Sequence, residues 1–334
     1  MQVVYSIAAY LGRGIGYTAE NAINQIKENG IEVKPFTLMR YPELERSPFK
    51  DIEFDRKVAK DLPKCDLLHV WNNMGLHTIR VAKKRDVKVV VERASTHPDW
   101  QDRVLNDEVG GCAIDPMYKD RMLQEYELAD AILTPSQFAC NTFPERLKPK
   151  IGVIPFGVDC EKFKPMPKSH NYFRVLFAGD NILRKGVRYL TDAWNLMPPE
   201  HNELWLKIPG KPTTSGSIRT IAEVPDMTQL YNMVDVFCLP SLEEGQALVV
   251  WEAMACGLPC VVTEECGSLI KNNVNGIVVP SKNSKAIYHA LMDLAVSPLK
   301  RERLGQAARQ LAEQYSWERY GKKLVETYQT IMGQ

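Results

Sequence analysis

Short apolar runs rich in β-branched residues recur along the chain, each followed by a stretch with helical spacing, and no other feature restricts the fold as strongly. Residues 87–92 (VKVVVE) are the clearest case. A strand apolar on both faces must be covered on both, which is the condition of a parallel sheet flanked by helices. Residues 3–8, 32–38, 67–70, 87–92 and 131–135 read as strands of a first half. Residues 174–178, 204–208, 236–239 and 260–263 read as strands of a second. Between them the spacing predicts helices over 18–28, where Ala19, Ile23 and Ile26 share a face, and over 186–196, 227–232, 247–255, 285–294 and 299–312. Gly30 suits a helix C-cap ahead of the second strand. Residues 155–172 are rich in proline and charge and read as the linker between the halves. Residues 40–60 and 98–118 are taken as loops of the first half that set the partner specificity. Ser316 can cap a last helix from Trp317 to about Met332, with Glu318 in its first turn.

Composition narrows the function. Of 334 residues, 45% are hydrophobic and 25% charged, and the net charge is +1, so no global bias toward nucleic acid exists. No apolar run approaches the ~18 residues of a membrane span. The opening MQVVYSIAAYLGRG lacks a basic leader and reads as a first buried strand rather than a signal peptide, which points to the cytoplasm. The eight cysteines include no Cys-x-x-Cys pair. Cys256, Cys260 and Cys266 lie close in sequence but match no zinc spacing, so no metal is expected.

The most informative segment runs from Ser241 to Cys260, SLEEGQALVVWEAMACGLPC. A buried strand ends in a turn and feeds a helix expected to start near Gln246, whose free N–H groups make a ready anion site. Gly245 lets a phosphate approach the backbone. Glu244 and Glu252 stand eight positions apart, roughly 12 Å along a helix axis. That span suits a nucleotide sugar with its sugar at Glu244 and its diphosphate on the N–H groups of Gln246, Ala247 and Leu248. Its ribose hydroxyls would then meet Glu252, a carboxylate able to accept two of them.

This segment resembles the E-x7-E motif of retaining glycosyltransferase family 4, including the trailing EAMACGLPC. Gln246 stands where the family carries an aromatic residue, and Ala247 where it carries a second glycine. Residues 177–186 (FAGDNILRKG) resemble the family's phosphate loop, with Gly179 at the turn, Lys185 as first and Arg184 as second phosphate contact, and Asp180 in place of arginine. Residues 12–17 (GRGIGY) resemble its G-I-G-x-Y loop, so Gly14 and Gly16 are expected to admit close backbone approach, with Gly12 a structural turn. Residues 92–97 (ERASTH) resemble its E-R-G-S-x-H stretch, which places His97 by the sugar or acceptor hydroxyl. His69 is a second candidate, read as structural. Residues 129–136 (ADAILTPS) and 150–159 (KIGVIPFGVD) also resemble family segments, so the likeness runs from about residue 12 to the last helix.

The resemblance implies a GT-B fold: two Rossmann-like α/β domains whose parallel sheets face a central cleft, residues 1–157 on the acceptor side and 158–316 holding the donor. The last helix, 317–334, is expected to return to the first domain. It implies transfer of a sugar from a nucleoside-diphosphate donor with retention of configuration. His97, Glu244 and Lys185 would be catalytic, with no cofactor and no metal, since the basic loop and helix dipole replace one. The acceptor, a glycan, lipid or small molecule, is open, and a lipid acceptor would bring peripheral membrane contact; residues 80–88 (RVAKKRDVK) equally suit a solvated helix face. The base of the donor is expected near residues 223–225. Three rivals stand beside this reading: a nucleotide-sugar epimerase, a non-catalytic sugar-nucleotide-binding subunit, and a nicotinamide oxidoreductase. The last is disfavoured because the second strand ends without a ribose-binding acid.

Overall fold

The computed structural model describes residues 1–12, 14–167, 171–198, 200, 202–222 and 224–333. Arg13 of the first glycine loop, Glu223 of the expected base loop, and residues 168–170 of the expected linker lie outside the described residues. The chain divides into two compact units, Met1–Phe156 with Trp317–Gln334, and Gly157–Ser316.

The first unit is a parallel sheet of β1 (Gln2–Ser6), β2 (Glu32–Phe36), β3 (Leu67–Trp71), β4 (Lys88–Glu92), β5 (Ala131–Thr134) and β6 (Ile151–Val153), in the order β2-β1-β3-β4-β5-β6. Its helices are α1 (Ile15–Glu28), α2 (Lys50–Asp61), α3 (Leu76–Lys84), α4 (Pro98–Val109), α5 (Pro116–Leu128) and α6 (Gln137–Asn141). Central strands β3 and β5 are buried at every position, which is why they read as mainly apolar runs. The expected loops at 40–60 and 98–118 are instead largely helical. α2 hides Asp55 on its buried face beside Ile52, Phe54 and Val58, and this buried acid breaks the apolar period. α4 and α5 each begin at a proline, and the side chains of His97 and Asp115 accept the N–H groups of Asp99 and Met117. These capping signals are local, but the sequence reading passed over them. Strand β6 is a three-residue edge strand, too short for its period to stand out.

The second unit comprises β7 (Phe173–Ala178), α7 (Val187–Trp194), β8 (Asn202–Lys207), β9 (Thr213–Ser215), β10 (Ile218–Ile221), α8 (Met227–Asn232), β11 (Val236–Leu239), α9 (Leu248–Ala255), β12 (Cys260–Val262), β13 (Ile277–Val278), α10 (Ser284–Val296) and α11 (Pro298–Ala312). Its sheet runs β13-β12-β11-β7-β8-β10-β9, parallel except for the β9–β10 pair. Parallel neighbours are usually joined through a helix, yet β8 reaches β10 through residues 208–217, which hold only the short strand β9. A shallow pocket of about 350 Å³ opens there, lined by Trp205, Pro212, Arg219 and Ile221 among others.

The last helix, α12 (Trp317–Met332), belongs to the first unit and packs on α1. Gly321 permits the close approach, since a Cβ there would lie 2.3 Å from Cβ of Gln25. Beneath α12 the buried Glu92 carboxylate accepts the Tyr320 hydroxyl at 2.9 Å and pairs with Nε2 of His69 at 2.9 Å. The other ring nitrogen of His69 lies 2.7 Å from the Tyr328 hydroxyl. His69 is therefore a structural histidine, fully buried and stacked on Tyr5.

Candidate functional site

In the second unit the structure gathers Gly179, Arg184, Lys185 and Glu244, and adds Glu243, which the sequence reading passed over. Strand β7 ends at Ala178, and Gly179 opens the loop that leads to α7. Asn181 closes a tight turn by accepting N–H of Lys185 on its carbonyl and N–H of Arg184 on its side chain. Gly186 then takes a left-handed conformation (φ 66°) as N-cap of α7, where a Cβ would strike the Pro240 carbonyl oxygen at 2.1 Å. That contact seats the loop against the end of β11, where residues 241–245 begin.

The two cations consequently reach the two carboxylates. Lys185 Nζ lies 2.7 Å from Oε1 of Glu244. One nitrogen of Arg184 lies 3.2 Å from a carboxylate oxygen of Glu243 and 3.2 Å from one of Glu244, and it also donates to the Glu243 carbonyl at 3.3 Å. Glu243 is fully buried and Glu244 nearly so. Burial alone would depress the Arg184 guanidinium, but the charges of Glu244 and Glu243 outweigh it and raise its pKa. Cations placed ahead of a helix N-terminus oppose its dipole, and here two carboxylates offset that cost.

The lysine reaches its partner only because residue 179 is glycine. A Cβ there would sit 2.1 Å from Cδ of Lys185 and 2.7 Å from its Cε. Gly179 was expected to permit a turn, and it also vacates the path of the lysine stem.

Helix α9 departs from expectation. It begins at Leu248, not Gln246, because Ala247 is its extended N-cap (ψ 105°) and donates its N–H to the Cys266 carbonyl at 3.1 Å. The Ala247 N–H is thus engaged, and Glu244 lies off the helix, so the axial distance expected between Glu244 and Glu252 does not apply. Gly245 and Gln246 are buried within the connecting turn. No side chain caps the first turn of α9, which starts at Leu248. Glu252 lies within the helix and accepts the Tyr231 hydroxyl at 2.8 Å. Burial pushes its pKa up to about 7, against which the Tyr231 hydrogen bond works.

Gly14, Gly16 and His97 belong to the first unit. Gly14 is exposed and holds a backbone conformation open to glycine (φ 55°, ψ −137°), with open space where a Cβ would stand. Gly16 serves the fold instead: it is buried, and a Cβ there would strike the Tyr10 carbonyl oxygen at 1.8 Å. Its missing side chain admits the chain's own loop. His97 caps α4, its Nδ1 accepting the Asp99 N–H at 3.2 Å. The ring lies against Phe143 and Tyr126. Burial holds its pKa down to about 4, so it is neutral at pH 7 and carries its proton on Nε2. That Nε2 is buried without a hydrogen-bond partner. Nδ1 is taken up by the Asp99 N–H, which leaves Nε2 as the ring's remaining polar atom.

Among the described residues no group of three or more histidine, cysteine or acidic side chains could hold a metal ion, and no helix is long and apolar enough to cross a membrane.

Comparison with known proteins bears on this arrangement. Residues 172–297, which contain the whole cluster, match the family Glycosyl transferases group 1. The chain is 27% identical over 212 residues to a D-inositol 3-phosphate glycosyltransferase of Xylanimonas cellulosilytica, covering 54% of this chain and 51% of that one. It is 37% identical over 109 residues to spore coat protein SA of Bacillus subtilis, covering 31% and 29%. The chain thus spans between about a quarter and a half of the length of the curated relatives it matches. Among solved structures, sucrose-phosphate synthase from Thermosynechococcus elongatus superposes with a TM-score of 0.81 at 17% identity, covering 99% of both chains. HepE from Anabaena, in complex with UDP-glucose, gives 0.75 at 16% identity over 99% of this chain and 100% of that one. The fold is GT-B, and residues 172–297 are similar to the glycosyl transferases group 1 family.

Proposed function

We propose that this protein is a glycosyltransferase, hexosyltransferase-like, that moves a sugar from a nucleoside-diphosphate donor to a hydroxyl-bearing acceptor with retention of configuration. One observation carries the reading: Lys185 and Arg184 converge with Glu244, which stands in the turn that leads to the uncapped start of α9. A leaving diphosphate gains most from positive charge already in place where its own negative charge develops. Lys185, Arg184 and the first N–H groups of α9 supply that charge, so the reaction as proposed needs no metal. Glu244 takes the sugar hydroxyls and Glu252 the ribose. His97, neutral and holding an unpartnered N–H, donates a hydrogen bond to a sugar or acceptor oxygen. HepE was solved with UDP-glucose, which supports a uridine donor as the first to try. The acceptor class, a glycan, lipid or small molecule, is left to the assay.

The test is a panel of UDP-, GDP-, ADP- and TDP-sugars read by thermal shift and by product analysis with an acceptor library, in EDTA. A ligand at about a hundred times its Kd adds roughly 2.7 kcal/mol of stability. One donor should stabilise the wild type and not Lys185→Ala, and transfer should survive EDTA. Binding without turnover over every acceptor would favour a non-catalytic subunit. Free sugar formed without any acceptor would favour an epimerase.

A further inference from the structure

Glu243 and Glu244 adjoin in sequence and share Arg184, yet the structure gives them unequal positions. Glu243 is fully buried, and it holds the guanidinium twice, through its carboxylate and through its own carbonyl. Glu244 keeps a small exposure and is the carboxylate on Lys185, whose side chain is also partly exposed. The cluster is neutral as it stands, two cations against two carboxylates. A diphosphate entering it would add negative charge to a group already balanced, and buried charge without a partner is costly.

We propose that Glu244 is the cluster's exchangeable counter-ion and that Glu243 is a positioning residue which keeps Arg184 in place while the exchange occurs. In the donor-free protein Glu244 stands where the diphosphate will act. When a nucleoside diphosphate binds, its oxygens take over Lys185 and replace Glu244 at the Arg184 nitrogen that it shares with Glu243. The released Glu244 carboxylate then turns to the hydroxyls of the donor sugar. Arg184 does not follow, because Glu243 holds it from the buried side. This inference rests on the donor-site reading above. It adds that the bare nucleotide competes with Glu244, whereas the nucleotide sugar gives that carboxylate a new partner.

The experiment is calorimetric titration of the full-length chain with UDP, GDP, ADP and TDP, followed by the sugar form of whichever binds. Glu244→Gln removes the competitor and leaves the cations under-neutralised until nucleotide arrives. It should bind the bare diphosphate about tenfold more tightly than wild type, the scale of one charge-assisted hydrogen bond. Its preference for nucleotide sugar over bare nucleotide should fall. Glu243→Gln frees Arg184 and should bind the diphosphate about tenfold more weakly, with Glu243→Asp restoring part of the loss. General damage to the fold cannot tighten binding, so opposite signs separate positioning from mere structure. A thermal unfolding curve for each variant identifies any that fails to fold, and the Glu244→Gln result alone suffices for the test. Weaker diphosphate binding by Glu244→Gln in a wild type that binds would overturn the exchange and leave the donor site standing. A wild type that binds none of the four would overturn both.

Discussion

Replacing Gly179 with alanine separates the site from the fold. Its backbone is not in the left-handed region, so an alanine there carries no conformational penalty. The new methyl would lie 2.1 Å from Cδ and 2.7 Å from Cε of Lys185. Both atoms belong to the far end of a flexible side chain, so the lysine moves and the backbone stays. The ion pair to Glu244 at 2.7 Å is then lost, and the ammonium no longer points at the site. A hydrogen bond to a charged group contributes about 1.5–3 kcal/mol, and each 1.4 kcal/mol is tenfold in Kd. Gly179→Ala should therefore weaken nucleoside-diphosphate binding by about ten- to a hundredfold. Its unfolding free energy should fall by no more than ~1–2 kcal/mol, in line with an ordinary substitution. Gly186→Ala is the matched control. There the obstacle is a backbone carbonyl oxygen at 2.1 Å and the conformation is left-handed, so the loss falls on folding. Calorimetry for binding and urea unfolding for stability read the two effects separately. Wild-type affinity in Gly179→Ala would refute Lys185 as the diphosphate contact. Global destabilisation equal to that of Gly186→Ala would refute the claim that the lysine stem is the yielding element.

Two further outcomes follow from burial. His97 titrates near 4 in the fold because burial disfavours its charge, against about 6.5 unfolded. Between those values the unfolded chain binds more protons, so stability drops as pH falls from 6.5 toward 4, by at most about 3 kcal/mol. His97→Asn keeps an N-cap acceptor but does not titrate, and its stability should fall less steeply over that window in urea melts at stepped pH. Glu252 titrates near 7 because it is buried, and ribose hydroxyls donate best to its ionised form. Nucleotide affinity should rise as pH rises through 7 in the wild type, and the part of that rise due to this carboxylate should be missing in Glu252→Gln.

The central strands were legible because strands such as β3 and β4 are buried on both faces and show it in composition, whereas the short β6, β9, β10 and β13 were not read. The helices α2, α4 and α5 were missed for two reasons. α2 buries an acid, Asp55, which accepts N–H of His77 and Thr78 and pairs with Arg121, so its hidden face is not apolar. α4 and α5 announced themselves through caps rather than period. In the site, Lys185, Arg184 and Glu244 could be named from their pattern, and the structure places them together. Glu243 stood inside the same quoted segment. Two adjacent acids after a strand end, against two adjacent cations after another, was the signal that could have found it. The role of Gly16 depended on where the Tyr10 carbonyl returns, a tertiary fact that spacing does not encode.

Glu92 and Glu244, two of several buried carboxylates among the described residues, differ in what their partners allow. Glu92 meets the hydroxyls of Tyr320 and Tyr5 and the ring of His69, all within the first unit, with no lysine or arginine among them. His69 in turn meets Tyr328, so both its nitrogens are occupied and the network tethers α12 to the sheet. Such a centre has nothing to exchange: a ligand would have to break hydrogen bonds without supplying a counter-charge. Glu244 is held by cations, which a diphosphate can satisfy in its place. Tyr320→Phe should accordingly cost about 1.5–3 kcal/mol of stability, the value of one donor to a charged acceptor, and leave nucleoside-diphosphate affinity at the wild-type level. A Tyr320→Phe protein of unchanged stability would mean that Glu92 is not the tether. One that loses nucleotide affinity in proportion would mean that the distinction between a saturated and an exchangeable carboxylate does not hold.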